Sequence, residues 1–142
     1  MQLGDIANEG AVGNGKPLDG VRVLALEQMQ SLPYATQLLA RLGAEVVKVE
    51  HPKGGDSGRA SLPAMTDPEG RRVGATFLRN NLDKRSICVD LKHPEGVVLA
   101  LDLLAGADAL IEGNRPGVME RLGLGPEVVH ARNPKLIYGR MT

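Results

Sequence analysis

The chain has 142 residues, with 17 Lys and Arg against 17 Asp and Glu and a formal net charge of zero. That length can hold one domain with a real core, and the balanced charge excludes a basic or acidic excess aimed at nucleic acid or a membrane surface. With no Trp, one Phe and two Tyr, base-stacking platforms and aromatic sugar sites are disfavoured as well. No run of eighteen apolar residues marks a transmembrane helix. The N-terminus lacks the basic start and apolar block of a signal peptide. The expectation is a soluble, cytoplasmic protein. The single cysteine, Cys88, lies in an apolar stretch and reads as a buried, inert thiol in a reducing compartment.

Residues 1–16 carry four glycines, two asparagines and no apolar period, and read as a mobile tail. The glycines of residues 10–15 are not a phosphate loop, because no strand precedes them and no Lys-Ser/Thr pair follows. Residues 17–20 (PLDG) form a turn. Residues 21–27 (VRVLALE) read as a buried strand. Tyr34, Leu38, Leu39 and Leu42 recur at helical spacing, with Pro33 in the first turn and Gly43 as the stop. Residues 45–50 (EVVKVE) complete a right-handed parallel βαβ unit. Residues 51–73 are a long excursion without periodicity, a length that marks functional or disordered loops.

Residues 80–95 (NNLDKRSICVDLKHPE) read as the middle strand of the sheet, with residues 86–91 as the strand itself. In that reading Lys84, Arg85 and Lys92 are placed to meet something anionic. Residues 94–107 are the clearest helix, with Val97, Val98, Leu101 and Leu104 on one face and Pro94 and Glu95 in the first turn. Residues 109–112 (ALIE) are the next strand. Asn114 can cap a short helix opened by Pro116 and stopped near Gly123. A second short helix covers residues 126–131, and residues 136–140 (LIYGR) form the last strand. Strands alternating with helices predict an α/β fold with a parallel, doubly wound sheet. Only two residues follow the last strand, so the chain reads as truncated, or as completed by another polypeptide.

Ligands of such sheets bind beyond the carboxyl ends of the strands. The residues there are Gln28, Gln30 and Ser31, then Glu50, His51 and Lys53, then Lys92 and His93, then Gly113, Asn114 and Arg115, with Arg121 further on. This crest is polar and basic and lacks the G-x-G-x-x-G fingerprint of nicotinamide and flavin folds. No H-x-x-x-H pair or G-x-S-x-G elbow is present, and neither Asp56 nor Asp90 has a partner at acid–base spacing. No metal set or catalytic group emerges. The pattern is that of an anionic ligand held by Arg, Lys and backbone amides.

The ordered segments PLDGVRVLALEQ, P-x-A-x-x-L-L-A-x-L-G-A-E-V-V-K-V-E, GGDSGR, N-x-x-K-R-S-I-x-V-D-L-K-x-P-E-G, ADALIEGNRPGVMERLGLG and NPKLIYGRMT cover residues 17–142. Together they resemble the N-terminal portion of the family III CoA-transferases. These are the carnitine-dehydratase and bile-acid-inducible type, a family that also includes α-methylacyl-CoA racemases. The resemblance implies a Rossmann-like parallel sheet with flanking helices, the N-terminal part of the family's large domain. It implies a CoA thioester as substrate, with no separate cofactor, a carboxylate acceptor, and a homodimer of interlocked subunits. By position, Gln30 and Ser31 fall at the thioester end of CoA. His51 stands where many members place an Arg near the adenosine phosphates. Val89, Asp90, Leu91 and Lys92 fall on the adenine side. Gly113, Asn114 and Arg115 match the family's N-x-R/H-P-G turn, and Arg121 matches a phosphate-binding basic residue.

In the transferases of this family an Asp attacks the acyl-CoA, and in the racemases a His and an Asp move the α-proton. Both sets follow a Gly-rich loop expected after Thr142. The resemblance therefore implies a CoA site without catalytic residues in this chain. The long excursion favours a transferase, while the ending GRMT is shared with racemases. A non-catalytic CoA-binding module is the third reading.

Overall fold

The structure, a computed structural model, describes residues 15–141. The expected tail over residues 1–16 lies almost wholly outside the described residues, as does Thr142. Strands β1 (Arg22–Leu26), β2 (Glu45–Glu50), β5 (Arg85–Cys88), β6 (Ala109–Glu112) and β7 (Ile137–Arg140) form one sheet in the order β5-β2-β1-β6-β7. All four pairings are parallel. The α/β reading with a parallel sheet and flanking helices therefore holds.

The middle strand is β1, and β5 lies at an edge. The chain runs β1, β2, β5 toward one edge, then α3 (Pro94–Ala105) carries it back to lay β6 on the other side of β1. The central place expected for residues 80–95 is thus corrected. An apolar strand at an edge and one at the centre have the same local pattern, and only the crossover separates them. The edge position also explains why Cys88 is exposed and not buried. The last strand, β7, is likewise an edge strand among the described residues.

Successive residues of β1 serve opposite faces, as the pleat demands. Val23 and Ala25 pack with Ala40, Ala44 and Val46 beneath α1 (Ser31–Arg41). Leu24 and Leu26 join Ala100, Leu104, Leu110, Met119, Leu124, Val129 and Leu136 beneath α3, α4 (Val118–Arg121) and α5 (Pro126–Arg132).

Helix α1 turns a different face inward from the one its leucines suggest. Leu32, Pro33, Thr36, Gln37 and Ala40 are buried, while Tyr34, Leu38 and Leu42 are exposed. The inward polar groups have partners: Thr36 Oγ1 donates to Glu27 at 2.7 Å, and the Leu82 amide donates to Gln37 Oε1 at 2.8 Å. On α3 the expected face is right for Leu104, which is buried, and wrong for Val98, which is exposed.

The excursion over residues 51–73 is not featureless. It holds a 3₁₀ turn at Ser57–Ala60 and a hairpin of β3 (Ala64–Thr66) and β4 (Arg72–Gly74), and it leads into α2 (Ala75–Asn80). Asn114 does not cap α4, which starts from Gly117 with φ +80°. The Asn114 side-chain Nδ2 instead donates to Met119 sulfur at 3.3 Å.

Candidate functional site

The carboxyl ends of β5, β2, β1 and β6 open into a cleft of about 800 Å³. It sits where the chain reverses direction across the sheet, the place where parallel α/β sheets take ligands. Its floor is apolar, from Leu26, Leu32, Val49, Leu91, Val118 and Leu122. Its walls are the crest segments: residues 27–32 after β1, Glu50 and His51 at the end of β2, residues 89–92 after β5, and residues 113–115 after β6.

Ten of the eleven residues singled out from the sequence line this cleft: Gln30, Ser31, His51, Val89, Asp90, Leu91, Lys92, Gly113, Asn114 and Arg115. Arg121 lies on α4 beside Gly117 and is not part of the lining. The positioning of each wall is local. Asp90 Oδ1 accepts the Lys92 amide at 3.0 Å, which bends the segment over the cleft. A side chain at Gly96 would run into the Asp90 backbone, so only glycine lets α3 start so close beneath it. His51 Nδ1 accepts the Lys53 amide at 3.0 Å, leaving Nε2 as the donor of the ring. The Gly113 amide bonds Leu26 O at 3.1 Å, tying the β6 crest to that of β1.

The basic residues divide into two groups. Lys53, Lys92, Arg115 and Arg121 are exposed and form no ion pair among the described residues. Lys84 and Arg85, by contrast, do not line the cleft and pair with carboxylates of the chain itself, contrary to the expectation that they are placed for an anionic ligand. Lys84 Nζ is buried, donating to Glu27 at 2.7 Å, Pro33 O at 2.7 Å and Asn81 at 3.0 Å. Arg85 pairs with Glu45 at 2.8 Å at the opposite end of the sheet.

Beneath and beside the cleft lies a set of buried charge pairs, of which sequence reasoning had named Glu50 as a crest residue but not the pairing. Lys48 is 1% exposed and sits between Asp56, which it contacts closely, and Glu27 at 3.5 Å. Glu50 receives both Nε and Nη2 of Arg59 at 2.7 Å, together with the Asp56 amide at 2.7 Å and the Ser86 hydroxyl. The Arg59 guanidinium in turn stacks 3.7 Å from the Phe77 ring centre. Burial alone would raise the Glu50 carboxyl; the bonds from Arg59, Ser86 and the Asp56 amide outweigh it and hold the group at about 2. Burial also pushes Asp56 upward, and the bonds from Lys48 and the Met29 and Gly58 amides carry it below its ordinary value. Burial lowers Lys84, opposed by Glu27.

A second buried carboxylate, Glu112, holds the other wall. It accepts the Asn114 amide at 2.7 Å and Arg140 Nε at 2.6 Å. A signal for these groups was present in the sequence. A Lys inside EVVKVE, on a strand covered on both faces, needs a buried partner.

The arrangement is suited to binding. Exposed donors and cations surround an apolar floor, and the buried carboxylates beneath are already paired. Among the described residues no group of three His, Cys, Asp or Glu could hold a metal ion.

Comparison with known proteins follows the same outline. A family model described as CoA-transferase family III matches residues 18–142. The chain is 48% identical over 128 residues to a probable fatty acyl-CoA transferase of Mycobacterium tuberculosis, covering 89% of this chain and 32% of that protein. It is 41% identical over 128 residues to the succinate–glutarate CoA-transferase of Agrobacterium fabrum, covering 89% of this chain and 32% of that protein. A crystal structure of a protein of the same type from Brucella suis superposes with a TM-score of 0.85 at 40% identity, covering 90% of this chain and 34% of that one. The chain spans about a third of the length of these relatives.

Proposed function

The chain belongs to CoA-transferase family III, and from that premise we propose that it holds the CoA thioester of an acyl-CoA:carboxylate CoA-transferase. The observation that carries the reading is the cleft, in which an apolar floor is bordered by His51, Lys92 and Arg115. CoA has a matching polarity, with anionic phosphates at one end and a long uncharged arm leading to the thioester. Lys92, Arg115 and His51 then receive the phosphates and adenosine, with Arg121 reached only beyond the cleft. Gln30 and Ser31 meet the thioester end.

In the complete reaction the carboxylate of an Asp outside residues 17–142 attacks the thioester carbonyl, and CoA leaves as its thiolate. The mixed anhydride so formed is attacked by that thiolate at the aspartyl carbonyl, releasing the first carboxylate and leaving an aspartyl-CoA thioester for the acceptor carboxylate. Within the cleft no Asp is disposed for this step. Asp56 is buried against Lys48, and Asp90 holds the Lys92 amide. On this reading the chain supplies a CoA site, and the attacking Asp comes from outside residues 17–142.

Both enzymes named above are transferases, which favours this reading over an α-methylacyl-CoA racemase. By the family reading the proposal extends to a cytoplasmic homodimer.

Calorimetric titration of the folded chain with CoA tests the proposal. Saturable binding is expected, weakened about tenfold by Arg115→Ala through loss of a charge-assisted contact. A folded sample that gives no binding heat overturns it.

A further inference from the structure

Met29 is one of only two non-glycine residues with a left-handed backbone among the described residues, with φ +70°. It lies in the middle of the cleft wall that follows β1. Residues with a Cβ avoid this conformation unless their surroundings impose it. Here the imposing contact is visible. The Met29 amide donates to Asp56 Oδ1 at 3.0 Å, across 27 residues of sequence.

Asp56 itself is 1% exposed and does not line the cleft. The same oxygen accepts the Gly58 amide at 2.7 Å, its second oxygen meets Lys48 Nζ, and its own amide is held by Glu50 at 2.7 Å. Every polar atom of the residue that faces inward is thus engaged. One of those engagements reaches the backbone of a ligand wall.

We propose that Asp56 is a positioning residue: its carboxylate, anchored by Lys48, keeps Met29 left-handed and so fixes the Gln28–Met29–Gln30–Ser31 backbone in its binding conformation. It acts through Met29 and touches no ligand. The inference rests on the reading of the cleft as a CoA site only for its effect on affinity; the effect on the wall is independent of any ligand.

The test uses the whole chain. Amide hydrogen exchange at Met29 is measured by NMR without ligand, and CoA affinity by calorimetry, for wild type, Asp56→Ala, Asp56→Ala/Lys48→Met and, as the rescue, the double variant Asp56→Ala/Met29→Gly. Loss of the carboxylate is expected to speed Met29 exchange by about tenfold or more while the β6–β7 amides stay protected, because the opening is local. The CoA Kd is expected to rise about tenfold in step, since only the fraction of chains with an ordered wall binds. Glycine at position 29 enters the left-handed region without strain, so the double variant should recover part of that affinity. A residue with a merely structural role would give no such rescue.

Should Asp56→Ala not fold, Asp56→Ala/Lys48→Met carries both measurements, since it removes the acceptor together with the cation that would be left buried without it, while Glu27 keeps Lys84. Unchanged Met29 exchange in a folded variant that lacks the Asp56 side-chain oxygens overturns the proposal, as does a loss of affinity that Met29→Gly leaves untouched. If wild type fails to bind CoA, the functional reading falls, and the exchange rates still decide the role of Asp56.

Discussion

The two ends of the sheet carry the same kinds of ion pair in opposite surroundings. At the carboxyl ends, Lys48, Glu27 and Asp56 are almost wholly shielded from water. At the amino ends, Glu45 pairs with Arg22 at 3.7 Å and Arg85 at 2.8 Å, with side chains 41%, 65% and 77% exposed. Strand β2 contributes to both sets, through Glu45 at its start and Lys48 and Glu50 at its end. Charges in water interact weakly and are screened, so the lower set does little beyond keeping the edge soluble. Buried charges carry a large desolvation cost that only their partners offset, so the upper set holds its loops to one geometry. The lesson is positional: the strictly paired charges are those that support the walls of the cleft.

The largest effect expected from this contrast is that of Lys48→Met. It leaves Glu27 without one of its cations and Asp56 without its only one, and should cost about 3–5 kcal/mol of stability in urea unfolding. A loss below about 1 kcal/mol would mean that the two ends are energetically alike.

Acid unfolding comes next. Glu50 titrates at about 2 in the fold against 4.5 ordinarily. A carboxyl lowered by folding stabilises at pH above its unfolded value and loses that contribution as pH falls through the folded value. The window is therefore pH 4.5 down to about 2, and the contribution across it is about 3 kcal/mol at 1.36 kcal/mol per unit. Arg59→Met should flatten the stability–pH curve in that interval. A curve unchanged by the substitution would remove Arg59 as the cause.

The smallest effect belongs to the lower end, where Glu45→Ala should change stability by less than about 1 kcal/mol, with any loss disappearing in high salt. A larger, salt-insensitive loss would erase the distinction between the two ends.

The crest was legible before the structure because each of its segments follows a strand, and strand ends are marked by local pattern. Gln30, Ser31, His51, Lys92, Gly113, Asn114 and Arg115 were found that way, and they meet in one cleft. Arg121 was drawn in by nearness in sequence, and α4 carries it away from the lining. Lys84 and Arg85 show the limit more sharply. They are adjacent in the chain and identical in charge type, yet one is buried against Glu27 and the other stands in solvent beside Glu45. No spacing rule separates them, because each carboxylate partner lies 40 residues or more away. Helix α1 failed for a related reason. Its leucines have helical period, but the inward face was set by the hydrogen-bonding needs of Glu27 and the Leu82 amide.

Sequence alone was sufficient for the succession of the five sheet strands and of the helices outside residues 51–80, for the family, and for the identity of the crest. All of these depend on hydrophobic period, glycine and proline punctuation and the order of motifs, which are local properties. The central place of β1, the edge place of β5, the burial of Lys48 and Asp56, and the left-handed Met29 came only with the folded chain. Each depends on which distant segments pack together, and the desolvation of a charge or the strain of a backbone exists only once that packing has formed.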